Sequence, residues 1–209
     1  MTKSGSETTA ATEAAGAGAG AGTGAGAGAE KLRLRLATAH DVPGVLAVMD
    51  GIVEWLVGLG RTAQWGTEPW SASEALVERV EGRIARGELR VAVTRQDEIA
   101  GVLSVAETAS TYVRPADEPE LFINLLATSR RFKGQDVGGL LIAEARSEAA
   151  RRGLGLLRVD CFAGDDGRLT HWYASQGFTE VEPFVVQREG RPDWPGMLFA
   201  LRVERAGEA

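Results

Sequence analysis

Residues 121–161 constrain the fold more than any other part of this sequence. Leu121–Thr128 is a near-continuous apolar run, as expected of a strand buried on both faces. Ser129-Arg-Arg-Phe-Lys-Gly follows, then a helical pattern from about Val137 to Arg152 that Gly153 stops. A second apolar strand, Leu156–Cys161, comes next. Strand, helix and strand in succession imply a right-handed crossover between two parallel strands. The rest of the chain has to fit around that pair.

On the N-terminal side, Leu32, Leu34 and Leu36 alternate with Arg33 and Arg35, the period of a half-buried strand. Asp41 and Pro43 open an amphipathic helix carrying Val42, Val45, Leu46, Met49, Val53 and Leu56. A tryptophan-bearing loop, 61–70, leads to a second helix with Ser71 or Ser73 as N-cap. Strands are predicted at Leu89–Thr94 and Ile99–Ala106, joined by the turn Arg95-Gln-Asp-Glu, and 108–119 is a polar loop. On the C-terminal side come a short helix at about Arg168–Ser175, ended by Gly177, and strands at Phe178–Gln187 and Met197–Val203. The order βααβββαβαββ, without internal repeat, predicts an α/β protein. Its sheet is mixed, mostly antiparallel and twisted, with helices on both sides, unlike a doubly wound parallel sheet.

Residues 1–30 form an Ala/Gly-rich stretch with no aromatic residue and no large aliphatic after Met1. Such a segment buries too little apolar surface to offset its ordering entropy, so it is expected to be a disordered tail. It lacks the apolar core of a signal peptide. The remaining residues, 31–205, suffice for one domain. A formal charge of −6 with both signs interspersed argues against a nucleic-acid partner. No apolar run has the length of a bilayer span, so no membrane association is expected. The single cysteine, Cys161, cannot form an intrachain disulfide and fits a reducing cytoplasm. With two histidines and one cysteine, no metal site is expected.

The chemistry concentrates in Arg130-Arg-Phe-Lys-Gly-Gln-Asp-Val-Gly-Gly-Leu-Leu141. Gly138 and Gly139 in a first helical turn cost roughly 1 kcal/mol each relative to Ala. Close approach of a ligand to the backbone is the usual compensation, and a helix N-terminus favours an anion such as pyrophosphate. A glycine-rich turn chosen only for packing is the alternative. This segment, Leu157-Arg-Val-Asp-Cys-Phe162 and Trp172-Tyr-Ala-Ser-Gln-Gly-Phe178 together resemble the GNAT (Gcn5-related N-acetyltransferase) superfamily over roughly residues 32–203. The resemblance implies the GNAT acyl-CoA N-acyltransferase fold. It also implies acetyl-CoA as co-substrate, its pyrophosphate held by Lys133, Gly134, Gln135, Asp136, Val137, Gly138 and Gly139. Three positions depart from the family pattern. Lys133 stands where the family has Arg or Gln, a mild change. Asp136 replaces the first motif glycine, and a carboxylate about 4 Å from a phosphate costs roughly 1 kcal/mol in water and several if dry. Asp136 could instead be an ordinary helix N-cap. Asp166 stands where the family has the Asn that contacts pantetheine.

The resemblance further places Leu126, Ala127 and Thr128 against the acyl carbonyl and pantetheine. Tyr173 matches the general acid that protonates the departing thiolate, although a core aromatic would read the same. Asn124, Glu120, Asp160 and His171 lie on or near the two strands expected to splay, and none stands out as base. His171 reads as a structural histidine. Trp55, Trp65 and Trp70, with Gln64, Glu54 and Glu68, occupy the segment that walls the acceptor site in this family. They would suit a cationic amine, or equally form a hydrophobic lid. Trp194, in the loop between the last strands, could close the same site, and Arg130 and Arg131 are candidates for the phosphates of coenzyme A. The expected activity is transfer of an acetyl group to a primary amine of a small molecule. A catalytically impaired acyl-CoA-binding module and an acyltransferase of protein or peptide amines remain open, as does a homodimer.

Overall fold

The computed structural model describes residues 31–204 apart from Asp165 and Glu189; the predicted tail, 1–30, lies outside the described residues. The strands are β1 (Arg33–Leu36), β2 (Leu89–Val93), β3 (Ile99–Ala106), β4 (Leu121–Thr128), β5 (Leu156–Phe162), β6 (Thr179–Val186) and β7 (Trp194–Arg202). The helices are α1 (Val42–Gly58), α2 (Thr62–Trp65), α3 (Glu74–Ala85), α4 (Val137–Arg151) and α5 (Arg168–Ser175). One sheet has the order β1-β2-β3-β4-β5-β7-β6, with β4 and β5 parallel and the other neighbours antiparallel. The predicted mixed sheet and crossover are both present. In two places the structure departs from expectation. The tryptophan loop contains one helical turn, α2, and β7 begins at Trp194 where a loop was expected. Pro195 argues against a strand locally. Burial of Trp194 against Phe162 and Phe184, with ring centroids 5.7 and 5.9 Å away, overrides it.

Helices α4 and α5 cover one face of the sheet, where Leu103, Ile123, Leu126, Leu141 and Val159 form the core. Helices α1 and α3 cover the other, over Val91, Val102, Leu125 and Ala127. Each fully buried aliphatic of this kind contributes about 1.5–3 kcal/mol. Gly101 of β3 lets α4 approach closely: a Cβ there would lie 2.6 Å from Val137 and 3.0 Å from Leu141. The first turn of α4 is thereby held against the sheet.

The register of β4 contains the feature that shapes the site. Val105 lies opposite Ile123 and Ser104 opposite Leu125, so Asn124 is an extra residue, a β-bulge. Strand β4 pairs with β5 only through Leu121↔Leu157, Phe122↔Arg158 and Ile123↔Val159. Beyond Ile123, β4 stays with β3 and β5 stays with β7, so the parallel pair opens into a V. Its closed end is clamped by the buried Glu120–Arg158 pair. Arg158 Nη2 donates to Glu120 Oε1 at 2.6 Å, Nε donates to Oε2, and both Nη groups donate to the Arg114 carbonyl at 3.0 Å. Removing one partner from such a buried pair typically costs about 3–5 kcal/mol.

Candidate active site

From Asn124 to Thr128 the edge of β4 facing β5 has no strand partner among the described residues. Leu126 and Ala127 are buried there, and Thr128 is half-buried. An unpaired strand edge offers its backbone N–H and C=O groups to an extended partner bearing amide groups. This is the stretch expected to meet the acyl group. Asn124 is half-buried at the bulge, its Nδ2 donating weakly to the Phe122 carbonyl at 3.5 Å.

The V opens toward the N-terminus of α4. Gly134 (φ 86°) and Asp136 (φ 50°) both have positive φ. Asp136 therefore occupies a left-handed position, which glycine favours and Asp or Asn tolerates best among the other residues. This accounts for Asp where the family pattern has glycine. Asp136 is the N-cap residue by position, yet its side chain makes no capping hydrogen bond. The carboxylate folds over the first turn instead, so that a Cβ on Gly139 would lie 2.5 Å from Oδ2. The ring of Trp172 covers Gly138, where a Cβ would come within 2.7 Å. Both motif glycines are thus needed for close approach, and the chain's own side chains sit on them. Lys133 is exposed nearby, and the buried Gln135 Oε1 lacks a partner among the described residues. The two arginines before this loop are engaged elsewhere. Arg130 stacks on Trp55, its Cζ 4.0 Å from the ring centroid, and Arg131 pairs with Glu98.

Tyr173 points into the α4-side core, fully buried, with Phe178, Phe199 and Trp172 around its ring. Its hydroxyl has no hydrogen-bond partner among the described residues. A buried orphan hydroxyl costs about 1–3 kcal/mol. Burial, with smaller contributions from Cys161 and Asp160, pushes its pKa well above the ordinary value, so the phenol stays protonated. Cys161 is buried, and that burial pushes its thiol up, out of the range of a nucleophile. His171 is exposed, its Nδ1 2.7 Å from the Gly167 carbonyl, in keeping with a structural role.

The other face of the V holds the residue that the sequence did not single out. Asp160 is 1% exposed and its carboxylate accepts a hydrogen bond from Tyr112 Oη at 3.2 Å. Desolvation pushes its pKa up to about 7, with the Tyr112 hydrogen bond acting in the opposite sense. A charged residue on an otherwise buried strand was the available signal. Over this face the end of α1 bridges the arms of the V. Trp55 carries Arg130, which follows β4, and Arg61 pairs with Asp166, which follows β5, at 2.7 Å. Arg188, past β6, donates to the Ala63 carbonyl of α2 at 2.6 Å. The expected wall is only partly assembled. Trp65 and Trp70 stack on each other with centroids 5.3 Å apart, but Trp70 is buried in the α1-side core. Asp166, expected at the pantetheine, spends its carboxylate on Arg61, Arg168 and the Arg168 amide.

No curated protein matches this chain. Among solved structures, a GNAT-family acetyltransferase from Listeria monocytogenes is 21% identical with a TM-score of 0.63, over 86% of this chain and 99% of that one. A ribosomal-protein-alanine N-acetyltransferase from Brucella melitensis is 22% identical with a TM-score of 0.61, over 82% and 100%. A Salmonella typhimurium structure solved with its cofactor acetyl-CoA is 15% identical with a TM-score of 0.59, over 84% and 96%. At these identities the likeness is one of fold. The model of the acetyltransferase (GNAT) domain family matches residues 60–191, which run from just past α1 through the V and Tyr173 to the β6–β7 connection, and the chain belongs to that family of acetyl-CoA-dependent acetyltransferases.

Proposed function

We propose that this protein acetylates a primary amine of a small molecule by direct attack of the amine on acetyl-CoA. The observation that carries the reading is the bridge over the acceptor face. Arg61–Asp166, Arg130 on Trp55 and Arg188 on the Ala63 carbonyl hold the α1–α2 segment across both arms of the V. An enclosed acceptor end suits a compact amine better than a polypeptide. The Brucella likeness, whose name specifies a protein amine, keeps the alternative in view.

In this reading acetyl-CoA supplies the activated acyl group. The free edge of β4 at Leu126–Thr128 holds the pantetheine and orients the carbonyl, whose polarisation by fixed N–H groups contributes a few kcal/mol. Lys133 and the loop 134–139 hold the pyrophosphate. The amine nitrogen forms its bond to the acyl carbon, the C–S bond breaks, and Tyr173 gives its proton to the leaving thiolate.

The test is thiol release from acetyl-CoA across a panel of small primary amines, alongside a basic peptide. Release with at least one small amine is expected. Binding of acetyl-CoA without any release would favour an impaired binding module, and release with the peptide alone would favour a protein acyltransferase.

A further inference from the structure

We propose that Asp160 is the base that takes the proton from the acceptor ammonium, with Tyr112 as its positioning residue; this rests on the acetyltransferase reading above. Asp160 is the first residue of β5 beyond the last pairing with β4, Ile123↔Val159, so it sits where the V begins to open. Leu157, Val159 and Cys161 point into the α4-side core. Alternation along the strand puts Arg158, Asp160 and Phe162 on the opposite, acceptor face. Tyr173 belongs to the α4 side. The thioester would therefore lie between a proton acceptor on one face of the sheet and a proton donor on the other.

Two carboxylates are buried near the closed end of the V, and only one is neutralised. Glu120 has Arg158. Asp160 forms no ion pair among the described residues, and it accepts a hydrogen bond from the Tyr112 hydroxyl. Burying a carboxylate without a cation is costly, so Asp160 either holds a proton or ionises beside a cation that arrives from outside. An alkylammonium is such a cation. The groups around Asp160 leave its titration to burial. Tyr112 comes from the β3–β4 connection, and the Arg158–Glu120 pair lies below on the same face. Cys161 and Tyr173 belong to the other face, and Glu180 of β6 acts on Cys161. Glu182 of β6 is paired with Arg114, and β7 presents Leu198 opposite Asp160. A carboxyl held up to about 7 can accept a proton and release it near neutral pH.

The proton balance closes. Ionised Asp160 takes one proton from the ammonium and frees the nitrogen lone pair. As the C–N bond forms and the C–S bond breaks, the nitrogen loses its second proton to solvent, and the thiolate takes one from Tyr173. Asp160 then returns its proton to solvent and Tyr173 is reprotonated. The net products are amide, thiol and one proton.

The decisive measurements are a pH titration and a pH–rate profile. In the full-length protein, the Asp160 carboxyl carbon observed by 13C NMR should titrate within about one unit of 7; a midpoint below 5 overturns the proposal without any need for an acceptor. With whichever panel amine is turned over, Asp160→Asn should lower kcat roughly 100-fold and remove the acidic limb of the profile. Tyr112→Phe, which should keep the ring packing on Phe184, should move that limb upward by half a unit or more, because the hydroxyl favours the ionised form. Full turnover by Asp160→Asn, or an unmoved limb in Tyr112→Phe, sinks the proposal alone. Absence of turnover by the wild-type protein with every amine sinks the acceptor reading and this proposal with it.

Discussion

Arg61 and Asp166 are 105 residues apart in sequence and form an ion pair of 2.7 Å that ties the end of α1 to the loop after β5. Each side chain is about 30% exposed, so the pair contributes little to stability, about 0–1 kcal/mol. Its consequence is geometric. Arg61→Ala should leave the melting temperature within about 3 °C while raising KM for the amine several-fold. The same substitution should leave coenzyme A affinity nearly unchanged. A large fall in that affinity would mean that Asp166 serves pantetheine through its partner.

The phosphate loop gives a second prediction. Asp136 holds a left-handed backbone that glycine adopts freely, and its carboxylate lies over Gly139 at the helix N-terminus. Asp136→Gly removes a negative charge from the proposed pyrophosphate site without straining φ. Calorimetric titration should show acetyl-CoA binding several-fold more tightly, with stability changed by less than about 1 kcal/mol. Weaker binding would show that the carboxylate orders the loop more than it repels the ligand.

Tyr173 separates stability from function. Its buried hydroxyl has no partner in the free protein, so Tyr173→Phe deletes an unsatisfied polar atom and keeps the ring packing. The free variant should melt at the same temperature or higher. Turnover should fall roughly 100-fold, the usual scale for losing a positioned proton donor. A variant that melts several degrees lower would instead place a hidden partner on the hydroxyl, and full activity would remove it from the mechanism.

Strands and long helices were legible because apolar periodicity is local: β4, the helix from 137 and the helix from 168 all start where the pattern predicts. The site was legible wherever it is continuous in sequence, as in 133–139. What escaped is what depends on distant partners or on backbone angles. The φ of Asp136 cannot be read from its neighbours, so the sequence could not show that its carboxylate makes no capping hydrogen bond and lies over Gly139 instead. The strand start at Trp194 was hidden by Pro195, because the burial that overrides it comes from Phe162 and Phe184. Glu120 and Asp160 looked equivalent because Arg158, which neutralises Glu120, is 38 residues away and distinguishes them only after folding.

That difference has a signature in stability. The Asp160 carboxyl titrates at about 7 in the folded protein, against an ordinary 3.8. Between those values the native state holds a proton that the unfolded chain releases, so the unfolded chain binds fewer protons and stability falls as pH rises. The stability associated with Asp160 is full below 3.8 and is lost as pH passes through about 7. Glu148 has the opposite sign. Burial would raise its pKa, but Arg151, Arg152 and Arg90 hold it down to about 2, and its contribution is lost only as pH falls below 4.5. Comparing wild type with Asp160→Asn cancels such shared terms. Urea denaturation should show the variant more stable by a few kcal/mol at pH 8, with the advantage shrinking steadily toward pH 4. Asn retains an acceptor for Tyr112, so the comparison isolates the charge. An advantage independent of pH would assign Asp160 an ordinary carboxyl pKa and leave the acceptor face without its base.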